Sequence, residues 1–108
     1  MIYNKLVRDK IPEIIAKQGK RVSFRALQGD ELKKALKDKL IEETQELVNA
    51  ETQEQIIEEA VDVLEVLHCL LLKNGFDLVD CTKVRSEKEK EKGAFWNGYF
   101  LESVEGEE

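Results

Sequence analysis

Two acidic spacings carry the chemistry of this chain: Glu42-Glu43-x-x-Glu46, and further on Glu59-x-x-Asp62, each set into a stretch whose apolar residues recur at helical period. On a wheel of about 100° per residue with Glu43 at the origin, Leu32, Leu36, Leu40, Leu47 and Ala50 fall within roughly 60° of it, so this acid lies inside the apolar stripe. Glu46 lies about 60° to one side. With Glu59 at the origin, Ile56, Val63, Val66 and Leu70 fall within about 60°, and Asp62 stands to the same side as Glu46 does. The two helices thus repeat one arrangement, and the four acids make a plausible metal cage.

An ionised carboxylate in an apolar seam costs several kcal/mol unless positive charge compensates it. A bound cation would do so, and an oxygen-only set at i, i+3 spacing suits a hard ion such as Mg²⁺ or Mn²⁺. Zinc and copper fit poorly, because His68 is the only histidine and neither cysteine lies near the acids in sequence. The ordinary alternative is a solvated acidic face, in a chain of which 37% is charged, with Lys39 one turn before Glu43 neutralising it as an ion pair. That alternative leaves the acids inside the apolar stripe unexplained.

The elements that must position these acids follow from pattern and punctuation. Asp9 to Gln18 predicts a short helix, capped by Asp9, with Pro12 in its first turn and Gly19 as its stop. Arg21 to Ala26 alternates polar and apolar residues at the period of a strand, and Tyr99 to Val104 is a candidate partner strand. Asp30 is placed to cap a long helix to about Ala50, and Thr52 with Gln55 forms a capping box for a second, to about Asn74 before Gly75. These two make a helical hairpin. The second is apolar over about half its circumference, more than one partner helix buries, which predicts a bundle and a symmetric homodimer with Leu64 and Leu71 on the side away from Glu59. A last helix runs from about Asp77 to Glu91, with Leu78, Val79 and Val84 inward, and Gly93 ends it. Beyond it Phe95, Trp96, Tyr99, Phe100 and Leu101 are expected to close the core rather than to stack on a base, and an acidic tail, 105–108, is expected to fray. The expected fold is mainly α: a helical bundle built on the acid-bearing hairpin, with a small two-stranded β addition.

At 108 residues the chain is expected to be a single domain, 1–108. A net charge of −6 argues against nucleic-acid polymers and anionic membranes as partners, although local basic clusters remain able to bind phosphate. The N-terminal residues lack the apolar run of a secretory signal and no segment is long and apolar enough to span a bilayer, so a cytoplasmic protein is expected. Cys69 and Cys81 have the spacing of neither a redox pair nor a disulfide scaffold and read as reduced thiols.

The acidic pattern on a helical hairpin, the opening string YNKLVRDKIPEII and the basic segment ending Lys92-Gly93-Ala94-Phe95 together resemble the MazG-like, all-α nucleoside triphosphate pyrophosphohydrolases, in particular a small single-domain branch. Ala94 departs from the Gly-Gly-Phe common in that branch. The resemblance implies hydrolysis of a nucleotide substrate between its α- and β-phosphates to a monophosphate and pyrophosphate, with non-standard nucleotides as one substrate class. It implies Glu43, Glu46, Glu59 and Asp62 as ligands of Mg²⁺, and Glu42 as an acid beyond those ligands or a ligand of a second ion. The proton of the attacking water would go to a carboxylate not fully engaged by metal, among Glu42, Glu43 and Glu46. Lys5, Arg8 and Lys10 near the N-terminus, or Arg85, Lys88 and Lys92 near the end, would supply charge to the pyrophosphate.

Two other readings compete. Glu65-x-x-His68 has the spacing of a di-iron bundle, but on the wheel His68 lies about 180° and Glu65 about 120° from Glu59, away from the cavity of Glu59 and Asp62. A non-catalytic helical dimerisation module would explain the apolar helix, but not the acids.

Overall fold

The computed structural model describes residues 1–106, and Glu107 and Glu108 of the acidic tail lie outside the described residues. Four helices follow one another: α1 (Ile11–Lys17), α2 (Gly29–Asn49), α3 (Gln53–Lys73) and α4 (Leu78–Lys92). The chain divides into two compact units, Met1–Asp77 and Leu78–Glu108.

In the first unit α2 and α3 pack on each other as the framework. Only Ala50, Glu51 and Thr52 join these helices, and a link that short returns the chain antiparallel. The turn into α3 is locked by the expected capping box. The Gln55 amide donates to the Thr52 hydroxyl at 3.1 Å, and the Thr52 amide donates to the Gln55 side-chain oxygen at 3.3 Å. Its far end is closed as a Schellman motif: the Gly75 amide donates to the Leu72 carbonyl and the Phe76 amide to the Leu71 carbonyl, a path requiring the left-handed φ of +86° at Gly75. Among the described residues Leu36, 3% exposed, is the one buried apolar residue. Ile57, Val61, Leu64 and Leu72, on the α3 side away from Glu59, are exposed, as the width of the apolar arc requires of a lone hairpin; Leu71 is half-buried.

Several local expectations need correction. Asp9 does not cap α1, whose N-cap is Lys10 with no side-chain bond, although Pro12 sits in the first turn as expected. Asp30 does not cap α2: Gln28 holds that position, and Asp30 and Glu31 lie in the first turn, where their charge complements the helix dipole. No strand forms at 21–26 or 99–104, so among the described residues the β addition is absent. A strand needs a ladder partner, and the alternation alone supplies none. The segment instead leads into α2 with Phe24 exposed and the Arg25 guanidinium forked onto both carboxylate oxygens of Glu31 at 3.0 and 3.1 Å.

In the second unit α4 ends at Gly93, whose φ of +82° turns the chain out of the helix; the left-handed position falls on this glycine and not on Ala94, so the departure at Ala94 costs the turn nothing. Leu78, Val79 and Val84 are exposed rather than inward, and so are Phe95, Trp96, Tyr99, Phe100 and Leu101, which were expected to close a core. The physical reason lies in α4, whose last two turns read Ser-Glu-Lys-Glu-Lys-Glu-Lys and offer no apolar face to cover the rings.

Candidate metal centre

Both acid-bearing turns lie in the first unit, on the framework hairpin. Helix α2 carries Lys39, Glu42, Glu43 and Glu46 on consecutive turns, and α3 carries Glu59 and Asp62. The structure gathers them in two groups that share Glu43. Ligand atoms of Glu43, Glu59 and Asp62 lie within 4.8 Å of one another, and so do those of Glu42, Glu43 and Glu46. The first group joins the two helices, and the second belongs to α2 alone.

Glu43 is 6% exposed, a position an acid takes only when paired. One of its oxygens meets the Lys39 ammonium at 3.2 Å, and the same ammonium reaches Glu42 at 3.4 Å. Burial pushes the Glu43 carboxyl above its ordinary value, the Lys39 charge pulls against that, and the neighbouring Glu46 adds to the rise. For Lys39 burial works downward, but the pairs with Glu43 and Glu42 outweigh it and hold the ammonium above its usual range. Two further cations arrive from the segment before α1: Lys5 lies 3.5 Å from Glu42, and Arg8 donates to Asp62 at 2.6 Å.

These pairs leave two oxygens out. Oε2 of Glu43 and Oε2 of Glu59, one from each helix, are buried with no hydrogen-bond partner. Buried acceptors without a donor are rare and costly. The donor set is oxygen alone, it spans both helices, and it retains unpartnered oxygens aimed into protein; residues of this kind fit a hard divalent cation.

The four expected metal ligands are therefore brought together through Glu43, with Glu46 on the exposed side. Lys5 and Arg8 stand at the same acids. Arg85, Lys88 and Lys92 lie on α4 in the second unit, exposed. Glu65 and His68 belong to neither of these acid groups. Sequence reasoning assigned Lys5 and Arg8 to substrate phosphates and missed their contacts with Glu42 and Asp62. Nothing in the spacing could have revealed a pair 54 positions apart, whereas Lys39 was legible from i, i+3 and i, i+4.

No helix of the described residues is long and apolar enough to cross a membrane. In comparison with known proteins, a family described as phosphoribosyl-ATP pyrophosphohydrolase matches residues 10–88, a span that contains the whole acid-bearing hairpin and excludes Lys5, Arg8 and the aromatic segment. No curated protein and no solved structure matches the chain. The match covers well over half the sequence and meets the MazG-like resemblance at its coarser level, an all-α pyrophosphohydrolase acting on a nucleotide. The chain belongs to the phosphoribosyl-ATP pyrophosphohydrolase family.

Proposed function

We propose that this protein hydrolyses a nucleoside triphosphate or a related nucleotide between its α- and β-phosphates, releasing pyrophosphate and a monophosphate, with Mg²⁺ as cofactor and Mn²⁺ as its substitute. The observation that carries this reading is the shared position of Glu43, inside both acid groups and with one oxygen buried and unpartnered. Glu43, Glu46, Glu59 and Asp62 are the residues that would hold the ion. When bound, the ion supplies charge neutralisation of the phosphates and a more acidic water.

The remaining work falls to the chain itself. Lys39 keeps Glu42 and Glu43 oriented on α2. A carboxylate of α2 that the ion does not fully engage, among Glu42, Glu43 and Glu46, would take the proton from water. Lys5 and Arg8 reach the site and supply donors for phosphate, Arg8 with the forked geometry that matches it. The resemblance offers Arg85, Lys88 and Lys92 of α4 as the alternative source of that charge. The exposed face of Ile57, Val61 and Leu64 supports a symmetric homodimer. A cytoplasmic, single-domain enzyme that removes non-standard nucleotides is the setting this reading favours.

The test is pyrophosphate release from phosphoribosyl-ATP and from common and damaged nucleoside triphosphates, with Mg²⁺ and with chelator. Metal-dependent pyrophosphate from at least one of them, lost in Glu43→Gln, is expected. No release from any member of the panel would sink the activity, and release from phosphoribosyl-ATP alone would correct the substrate.

A further inference from the structure

The segment before α1 has no regular structure and is exposed apart from half-buried Leu6, yet two of its cations reach the acids of both framework helices. Lys5, with its ammonium 5.9 Å from the Tyr3 ring centre, lies 3.5 Å from Glu42 of α2, and Arg8 donates to Asp62 of α3 at 2.6 Å. We infer that Arg8 is an internal counter-ion of the metal centre, which a bound divalent cation displaces from Asp62, so that loading the ion frees the guanidinium for substrate phosphate. This rests on the metal-centre reading above.

The carboxylate that Arg8 holds is a member of the group that joins the two helices, with Glu43 and Glu59. It therefore serves two cations that repel each other, and an oxygen pair engaged with a divalent ion offers a guanidinium less charge. The Arg8 side chain is 54% exposed and makes a single contact with the acid, so its hold is of the weak, solvent-screened kind. Lys39, only 18% exposed and bonded to both Glu42 and Glu43, is not exchanged in this way. Arg8 stands two residues after half-buried Leu6 and three after Lys5, which pairs with Glu42, so the released guanidinium remains near the site. A planar fork of donors then matches the phosphate oxygens better than it matched one carboxylate oxygen.

The test is calorimetric titration of Mg²⁺ into the full chain, comparing wild type with Arg8→Gln and with Lys10→Gln, whose side chain meets no acid. The side-chain Nε–H resonance of Arg8 is followed alongside. Arg8→Gln should bind Mg²⁺ about two- to fivefold more tightly than wild type, the range an exposed pair can withhold. Lys10→Gln should match wild type, and the Arg8 resonance should move on Mg²⁺ addition toward that of a free arginine. Unchanged affinity in Arg8→Gln, or an equal gain in Lys10→Gln, overturns the exchange and leaves the metal centre standing. Absence of Mg²⁺ binding in all three proteins removes the metal centre, and the exchange with it.

Discussion

Replacing Glu43 by Gln keeps the shape of the residue and removes its charge, which separates its cost to the metal-free fold from its use to the enzyme. Burial raises this carboxyl above its unfolded value, so the folded state binds the proton more tightly than the unfolded chain does. Its penalty is therefore absent below the unfolded pKa, grows as pH rises through the folded pKa, and is complete above it. In chelator, wild type should lose this increment of stability between acid and neutral pH, and Glu43→Gln should show a flatter profile and a neutral-pH melting temperature equal to or above that of wild type. Turnover in the variant should fall by more than about a hundredfold, since the residue belongs to both acid groups. A variant that melts well below wild type at neutral pH would mean that the Lys39 pair outweighs the burial. The position of Glu43 was legible from its place among Leu32, Leu36 and Leu40, because helical periodicity fixes which face a residue takes. The Arg8 contact was not legible, because an irregular segment has no period to read.

At the scale of elements, the caps divide what sequence can and cannot foretell. Thr52 and Gln55 satisfy each other reciprocally across one turn, and the pattern alone located the start of α3. Asp9 and Asp30 are residues of the right type near helix starts, but a lone capping residue does not fix the register, and in each case a neighbour took the position. Thr52→Ala should cost about 1 kcal/mol. For a domain of this size that corresponds to a fall in melting temperature of about 4–8 °C, read by circular dichroism. Because the link from α2 to α3 also sets how Glu43 meets Glu59, the same variant should weaken Mg²⁺ binding. The strand expected at 21–26 failed for a different reason: alternation reports only that a segment could lie on a sheet, and pairing is a property of two segments.

For the whole molecule, an ion that binds the folded acids and not the unfolded chain must stabilise by mass action. Mg²⁺ or Mn²⁺ at about a hundred times its dissociation constant should add about 2.7 kcal/mol, seen as a rise in melting temperature that Asp62→Asn abolishes. A flat response to both ions would favour a non-catalytic interaction module. Assembly belongs at this scale as well. Leu64 is exposed on the α3 side opposite Glu59, so sedimentation at micromolar concentration should give a dimer for wild type and a monomer for Leu64→Asp. A wild-type monomer would show that the exposed face is tolerated in water. The apolar width of α3 was readable in sequence, whereas the exposure of Phe95 and Trp96 was not, since aromatic residues announce burial without saying against what. That exposure gives the protein a built-in optical probe. Trp96 is the only tryptophan and is 92% exposed in the chain, so its fluorescence should be red-shifted and readily quenched by iodide when nothing covers it. Any partner, ligand or second copy that lands on this segment will announce itself as a blue shift without a label being attached.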